Sequence, residues 1–429
     1  MELIVDLHTH SHYSRATSRD STLEGLYKWG KIKGISIIGT GDFTHPSWYL
    51  ELQEKLEPAE PGLFRLKEKY ALEVDASLPQ SIQGQAIRFI LTVEISNIYS
   101  KYGKVRKLHN LIVAPTLEVV SAVGERLSHI GNLKADGRPI LGLDSKELLK
   151  ICLETDPNIL FIPAHIWTPY FALFGSNSGF DSIQEAFEEL SLEIKAIETG
   201  LSSDPFMNWR LDQLQKVAII SNSDAHSPSK LGREATVIDS KLDYFDIVQG
   251  IKTNDQRVVG TIEFFPQEGK YHYDGHRDHH VRFSPQETKQ HQGICPVCHK
   301  PVTVGVDHRV DDLANHPTDY KPPNDKLVEY IIPLVEIIAE VKGTGVSSKP
   351  VLGLYEKVYS ILGNEFNILR RLSIDAIKKA GFDDLSFAID KMRKGQVVIE
   401  PGYDGVYGTI KIFQDKEERK KLSGQMSLL

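Results

Sequence analysis

Three histidines, His8, His10 and His12, stand at every second position just after the apolar run of ELIVDLHTHSH. On a strand that continues so far, alternate residues share one face, and the three imidazoles crowd together. Imidazoles packed in that way repel one another when charged and waste their donors when buried. A metal cation removes both problems, and neutral imidazole is the commonest protein metal ligand. A solvated polar run explains the same letters, so further donors must come from elsewhere in the chain. Later apolar runs supply them when each is read to its end. SIIGTGD ends at Asp42, with His45 close behind; FILTVEI carries Glu94; ILFIPA ends at His165; AIET ends near Glu198; AIISNSDAH ends at Asp224 and His226. One polar residue at a strand end means little, but this repeated choice of His, Asp and Glu points to a cage of mixed donors. His109 precedes its run, LIVAP, and joins the others only if its strand begins earlier, at KVRKL. A partly buried structural histidine is the alternative there. His12, His45 and Glu198 carry less weight.

Mixed imidazole and carboxylate donors suit zinc, manganese or iron and discriminate poorly among them. A bound cation lowers the pKa of water from 15.7 to roughly 7, and two cations roughly 4 Å apart hold both the attacking and the leaving oxygen of a phosphoryl centre. Glu94 is the natural bridging carboxylate. The chain has no GxSxG elbow and no Walker loop to offer another route. A second metal pattern lies in GICPVCHKPVTVG, where Cys295 and Cys298 form a CxxC between turn residues. A structural zinc needs four ligands. The other half lies upstream in YHYDGHRDHHVRFS, as His276 with His279, or with His280 in place of His279. A reduced CxxC in a surface loop is the alternative, and a redox role is disfavoured because no thioredoxin-like helix follows. Cys152, within LLKICLE, reads as helix core.

These donors need a scaffold. A chain of 429 residues exceeds one average domain. Its hydrophobic and charged fractions, 41% and 25%, are those of an ordinary soluble protein. No apolar run approaches the ~20 residues of a membrane span, and the start lacks the basic and apolar regions of a signal peptide; the expectation is cytoplasmic. Three cysteines, odd and sparse, exclude a disulfide framework. The formal net charge of −8 does not advertise nucleic acid, although local basic patches matter more. Through residue 265, β-rich runs alternate with amphipathic stretches such as LEGLYKWGKIKG and SKELLKICLE. That pattern indicates parallel strands in βαβ units. Seven or eight such runs suit a closed or distorted (β/α) barrel, whose functional groups gather at the C-terminal strand ends; an open doubly wound sheet is the alternative. Residues 266–320 hold few apolar runs and need a staple. Helical patterns dominate from 321 to 415, and residues 416–429 form a charged tail with a small apolar tip.

DLHTHS, the Gly-Asp at 41–42, VEI, LHN, PAH and NSDAHS, in this order, resemble the motifs of the PHP (polymerase and histidinol phosphatase) superfamily. The resemblance implies an α/β fold with a distorted (β/α)7 barrel, two or three divalent cations (Zn, Mn, Mg or Fe) and phosphoester hydrolysis. Position by position it implies the ligands His8, His10, Asp42, Glu94, His109, His165, Asp224 and His226, with Glu94, Asp224 and His226 nearest the reaction. Where many relatives carry an Asp-His pair, this chain has Asp42 then Phe43, which bears on a third metal position. Over nearly its whole length the chain is similar to endonuclease Q, most specifically in SDAHSPSKLGREA and in the DGHR…CPVC block. That similarity implies a catalytic barrel over 1–265, a zinc module over 266–320 with one Zn on His276, His279, Cys295 and Cys298, a mainly helical DNA-binding domain over 321–415, and a flexible tail over 416–429. It implies nicking of DNA on the 5′ side of uracil, hypoxanthine, xanthine or an abasic site.

Independent signs of DNA are partial. Lys101, Lys104, Arg106 and Lys107 in YSKYGKVRKLHN could hold phosphates, or form a solvated basic loop. Trp167, Tyr170, Phe171 and Phe174 follow His165 and could stack on an extruded base, or simply be core. Lys230 and Arg233 follow His226 and could also face phosphate. The terminal GQMSLL resembles peptides that dock in the bacterial sliding clamp, with Gln425, Met426, Leu428 and Leu429 as anchors. The expected partners are damaged DNA and the clamp, with no membrane, for a monomeric chain. The alternative enzyme is a small-molecule phosphoesterase of the histidinol-phosphatase type, which would not need the modules that follow residue 265.

Overall fold

β1 (Glu2–Asp6) pairs in parallel with β2 (Ile37–Gly39), and β2 with β3 (Arg88–Lys101), in a computed structural model that describes residues 1–415. The anchors expected at Gln425, Met426, Leu428 and Leu429 lie outside the described residues. β4 (Lys104–Ala114) then runs antiparallel to β3, with Glu94 opposite Leu111 and Ser96 opposite His109. This corrects the expectation of parallel βαβ units throughout. A parallel return needs a crossover of a dozen or more residues. Only Tyr102 and Gly103 separate these two strands, both at positive φ (54° and 72°). His109 therefore lies within a strand that begins at Lys104.

β5 (Leu160–Pro163) continues antiparallel beside β4. β6 (Ala196–Glu198) and β7 (Ala218–Ile220) form their own parallel pair. Their ends reach both neighbours: Ile166 N–H donates to Glu198 O at 3.2 Å, and Ala225 N–H to His8 O at 3.2 Å. On the other edge of β1 stand β8 (Ala235–Asp239) and β9 (Val258–Glu263), both antiparallel to their inner neighbours, and β10 (Leu327–Tyr330), parallel to β9. The result is a mixed α/β fold around an eleven-stranded central sheet.

Helices cover the outer faces. α1 (Leu23–Lys33) starts where Thr22 Oγ1 accepts from Gly25 N–H and stops at Gly34, φ 92°, a left-handed position that suits glycine. Its buried face carries Leu23, Leu26, Tyr27 and Ile32. After β10 come α2 (Leu334–Lys342), α3 (Lys349–Leu362), α4 (Ile374–Lys379) and α5 (Asp383–Arg393). Ile337, Val358, Ile377 and Ile389 join the same apolar cluster as the sheet. Buried polar ties add to this. Lys33 Nζ donates to Glu365 at 2.8 Å, and Tyr355 OH donates to the same oxygen at 2.6 Å. Arg370 forks onto Glu329 of β10 at 2.6 and 2.9 Å. No helix among the described residues is long and apolar enough to cross a membrane.

The segment 266–320 matches its poor apolar content. Its hairpin, Asp274–His276 against Val281–Phe283, packs on a cluster of three buried residues, Val281, Cys295 and Val302. At roughly 1.5–3 kcal/mol per buried side chain, such a core cannot offset about 1–2 kcal/mol of ordering per residue.

Glu234 and Glu263 are fully buried behind the strand ends. Burial foremost pushes Glu263 up to about 8 and Glu234 well above the usual carboxylate range, the latter also through its acidic neighbour Glu263. A folded pKa above the unfolded one means that the folded chain holds the extra proton. This stabilisation is complete below the unfolded value and is lost as pH rises through about 8. Urea midpoints should therefore fall between pH 5 and 8, at up to about 1.4 kcal/mol per pH unit for one such group. Glu263→Gln should flatten the decline; an unchanged slope would refute the assignment.

Candidate metal centre

β1 aims its C-terminal extension at the site. Asp6 accepts from Ser223 N–H at 3.0 Å and Gly232 N–H at 2.9 Å, which ties β1 to the segment carrying Asp224. His8 and His10 follow, both fully buried. His8 Nδ1 lies 3.0 Å from each Glu198 oxygen. Its Nε2 is buried without a hydrogen-bond partner, 3.6 Å from both Glu94 Oε2 and Asp224 Oδ1. His10 Nδ1 lies 3.2 Å from Asp42 Oδ1, and its Nε2 lies 3.1 Å from Asp224 Oδ1 and 3.4 Å from Glu94 Oε2. His8, His10, Glu94 and Asp224 thus offer four ligand atoms within 4.8 Å of one another.

Glu94 also belongs to a second group. Its Oε1 lies 2.6 Å from His109 Nδ1 and 3.1 Å from His165 Nε2, and these three residues again fall within 4.8 Å. Asp42, His165 and Asp224 all adopt positive φ (51°, 30° and 47°). Non-glycine residues in that region cost of order 1–3 kcal/mol each and gather where function requires them. Here the bends turn side chains at strand ends into the cluster.

The charges suit cations. Burial raises the pKa of Glu94, yet His109, His8 and Arg138 hold it well below the usual range. Burial likewise opposes charge on His8 and His10, but Glu198, Glu94, Asp224 and Asp42 keep both well above ordinary histidine. Protons thus occupy imidazoles that metal binding would deprotonate, so binding releases protons and weakens in acid. The orphaned Nε2 of His8 is the specific fit. A proton on Nδ1, given to Glu198, leaves the Nε2 lone pair free between two carboxylates. His10 repeats the device with Asp42. These backing carboxylates orient ligands, and their loss typically costs 10–100-fold in metal affinity. Glu198→Gln and Asp42→Asn should each weaken divalent metal binding by about that factor in a chelator competition; an unchanged affinity would count against the orienting role.

Asp42, expected among the ligands, touches His10 and is not among the residues of the two donor groups. Ser11 N–H, Ser11 Oγ and Ser14 Oγ donate to its Oδ2 at 2.7, 2.6 and 2.9 Å, while its Oδ1 faces His10. His226 also stands outside them, its Nδ1 3.0 Å from Asp224 O and its ring 4.5 Å from that of His10. His12 faces Ser21 O and Glu51, and His45 stacks on Tyr13. Arg138, which no sequence pattern marked, donates to Glu94 Oε2 at 3.1 Å.

Several residues expected at DNA are engaged inside the fold, and those assignments are corrected. Lys101 is paired with Asp144 and Glu188 at 3.2 and 3.1 Å. Arg106 is buried over the Phe180 ring and donates to Gly179 O and Glu185. Trp167 is buried, donates to Asn208 Oδ1 at 2.8 Å and packs on Phe174, itself core. Their partners lie far along the chain, so local sequence could not reveal them. Lys104 remains exposed at the hairpin tip. Tyr170 is 54% exposed, and Phe171 lies between His109 and Lys107. Lys230 reaches Glu336 at 3.5 Å, and Arg233 donates to Ser223 O at 3.2 Å.

In the small module, His276, His279 and Cys298 place ligand atoms within 4.8 Å, with Cys295 Sγ 3.6 Å from His279 Nδ1. His279, and not the exposed His280, belongs to this donor group. His276 Nδ1 is buried without a partner.

Comparison with known proteins agrees with this geometry. Residues 333–396 match the family model of the MJ0043 C-terminal domain. The chain is 33% identical over 266 residues to uncharacterised protein MJ0043 of Methanocaldococcus jannaschii, covering 59% of this chain and 32% of that protein. It thus spans about a third of that relative's length. It is 26% identical to uncharacterised protein YqxK of Bacillus subtilis, over 88% of this chain and 89% of that one. Among solved structures, the lesion-specific endonuclease PfuEndoQ from Pyrococcus furiosus superposes with a TM-score of 0.82 at 30% identity, covering 97% of this chain and 98% of its own. Endonuclease Q in complex with a 27-mer duplex bearing an abasic lesion at its active site gives the same TM-score and identity, over 98% of each chain. With that identity holding from end to end, this chain belongs to the endonuclease Q family.

Proposed function

We propose that this chain is a metal-dependent DNA repair endonuclease, hydrolysing the phosphodiester 5′ to a deaminated base (uracil, hypoxanthine or xanthine) or an abasic site. The observation that carries the reading is the sharing of Glu94 between two groups of donors. His8, His10, Glu94 and Asp224 would hold one divalent cation, and Glu94, His109 and His165 another. Nitrogen-rich donors favour zinc, manganese or iron over magnesium. When bound, such a pair supplies Lewis acidity and an ionised water for attack at phosphorus. The chain's own part is to fix those ligands through Glu198 and Asp42 and to keep the site dry beneath its rim. His226 sits at the rim, held below the usual imidazole range by burial and by His10, so that it stands there as a neutral imidazole able to accept a proton.

The strands β1 to β7 would act as a distorted seven-stranded barrel, with Zn on His276, His279, Cys295 and Cys298 stapling the module beside it. Exposed Lys104 and Tyr170, with Lys107 and Phe171 behind them, are the surface offered to a duplex whose damaged nucleotide is extruded. Docking of Gln425, Met426, Leu428 and Leu429 in a sliding clamp, monomeric action and a cytoplasmic setting rest on sequence alone. End-labelled duplexes, each with one lesion, should be nicked at a single position in the presence of Mn²⁺ or Zn²⁺. Ready cleavage of p-nitrophenyl phosphate with intact lesion duplexes would put a small-molecule phosphoesterase in its place.

A further inference from the structure

Arg138 is the one permanent cation that touches the donor cluster among the described residues. Guanidinium cannot ligate a metal and does not lose its proton in proteins. Its position is built. Asp136 Oδ1 accepts from Arg138 N–H at 3.2 Å. The preceding Gly137 admits no side chain, because a Cβ there would lie 2.2 Å from Asp42 Oδ2 and 2.5 Å from Ser14 Oγ. The following Pro139 carbonyl accepts from Ser96 N–H at 3.0 Å, which anchors the loop to β3. Arg138 is thereby pressed against the site with 26% of its side chain exposed.

Nη1 donates to Glu94, and among the described residues the other N–H groups of this partly exposed guanidinium have no hydrogen-bond partner. Glu94 already has nitrogens of four histidines within 3.6 Å. Cations bound to the two donor groups would make the guanidinium still harder to accommodate, because like charges a few ångströms apart repel strongly. An anion between the cations and the arginine resolves the conflict, and planar N–H donors suit the oxygens of a phosphate.

We propose that Arg138 is a catalytic residue that grips a non-bridging oxygen of the scissile phosphate and stabilises the charge developing there. This rests on the endonuclease reading for the reaction but not for the anion. The test uses metal-loaded full-length protein, with Arg138→Ala and Arg138→Lys. Titration calorimetry with inorganic phosphate should show binding to the parent protein and roughly tenfold or greater weakening in Arg138→Ala. At saturating abasic duplex, Arg138→Ala should lose roughly 10²–10³-fold in kcat. Metal content by elemental analysis should be unchanged, Arg138→Lys should recover only part of the rate, and added guanidinium should partly rescue Arg138→Ala. Unchanged phosphate affinity, or a loss of cleavage that tracks loss of metal in both variants, would overturn the proposal. If the parent protein binds phosphate but cuts no lesion duplex, the endonuclease reading fails while the anion site stands.

Discussion

Replacing Glu94 with glutamine should abolish cleavage, with a fall of roughly 10³-fold or more, while binding of lesion duplex persists. Glu94 is the only residue common to both donor groups and the only carboxylate in the second. Glutamine keeps the shape and removes the charge. His8, His10, His109, His165 and Arg138 would then face a buried site that has lost the one carboxylate touching all five. Neither cation could be held as before, and the several kcal/mol that metal ions contribute to phosphoryl transition states would vanish; about 4 kcal/mol corresponds to that factor. Elemental analysis should show the active-site metals depleted and any zinc of the small module retained. Full metal content with undiminished nicking would show that the cluster around Glu94 is not the reaction centre. Asp224→Asn should be milder towards the second group, since His109 and His165 do not contact it.

The second large effect is expected in the small module. Cys298→Ser removes one ligand from a group whose apolar support is three buried residues. Structural zinc contributes on the order of 10–16 kcal/mol to modules of this type, far beyond what that core supplies. The variant should lose one equivalent of zinc and become sensitive to protease within 266–320, with the central sheet still folding. Cys298 is preferable to Cys295 here, because Cys295 is fully buried and its replacement would also disturb packing. A protein that keeps its metal and its protease resistance after Cys298→Ser would refute a stapling zinc.

How much of this was readable in the letters differs from residue to residue. His8, Glu94, His165 and Asp224 each close or sit in an apolar run, and a strand end is where a barrel-like fold exposes side chains, so their convergence was legible. The hairpin of β3 and β4 was less so, because a buried strand looks equally apolar whichever way it runs; only the short Tyr102–Gly103 link betrays it. Asp42 and Glu198 show the limit of composition. Carboxylates that coordinate and carboxylates that brace a ligand are spelled alike, and the three donors from Ser11 and Ser14 on Asp42 Oδ2 had no signature in the letters. Arg138 sits in ADGRPI, a loop with no periodicity, and owes its role to a glycine's close approach to Asp42. Lys101, Arg106 and Trp167 misled because their partners, Asp144, Gly179 and Asn208, are remote in sequence.

β10 has a consequence for how this chain could be shortened. The region after residue 320 reads as a separate helical attachment, yet its first strand zips onto β9, and Lys33 is neutralised by Glu365 from the same region. A deletion at that point would bare a ladder of unpaired amides along β9 and strand an ammonium in the interior. Such a fragment should self-associate instead of surviving as a free-standing nuclease. The C-terminal helices are therefore inherited with the catalytic half, not detachable from it.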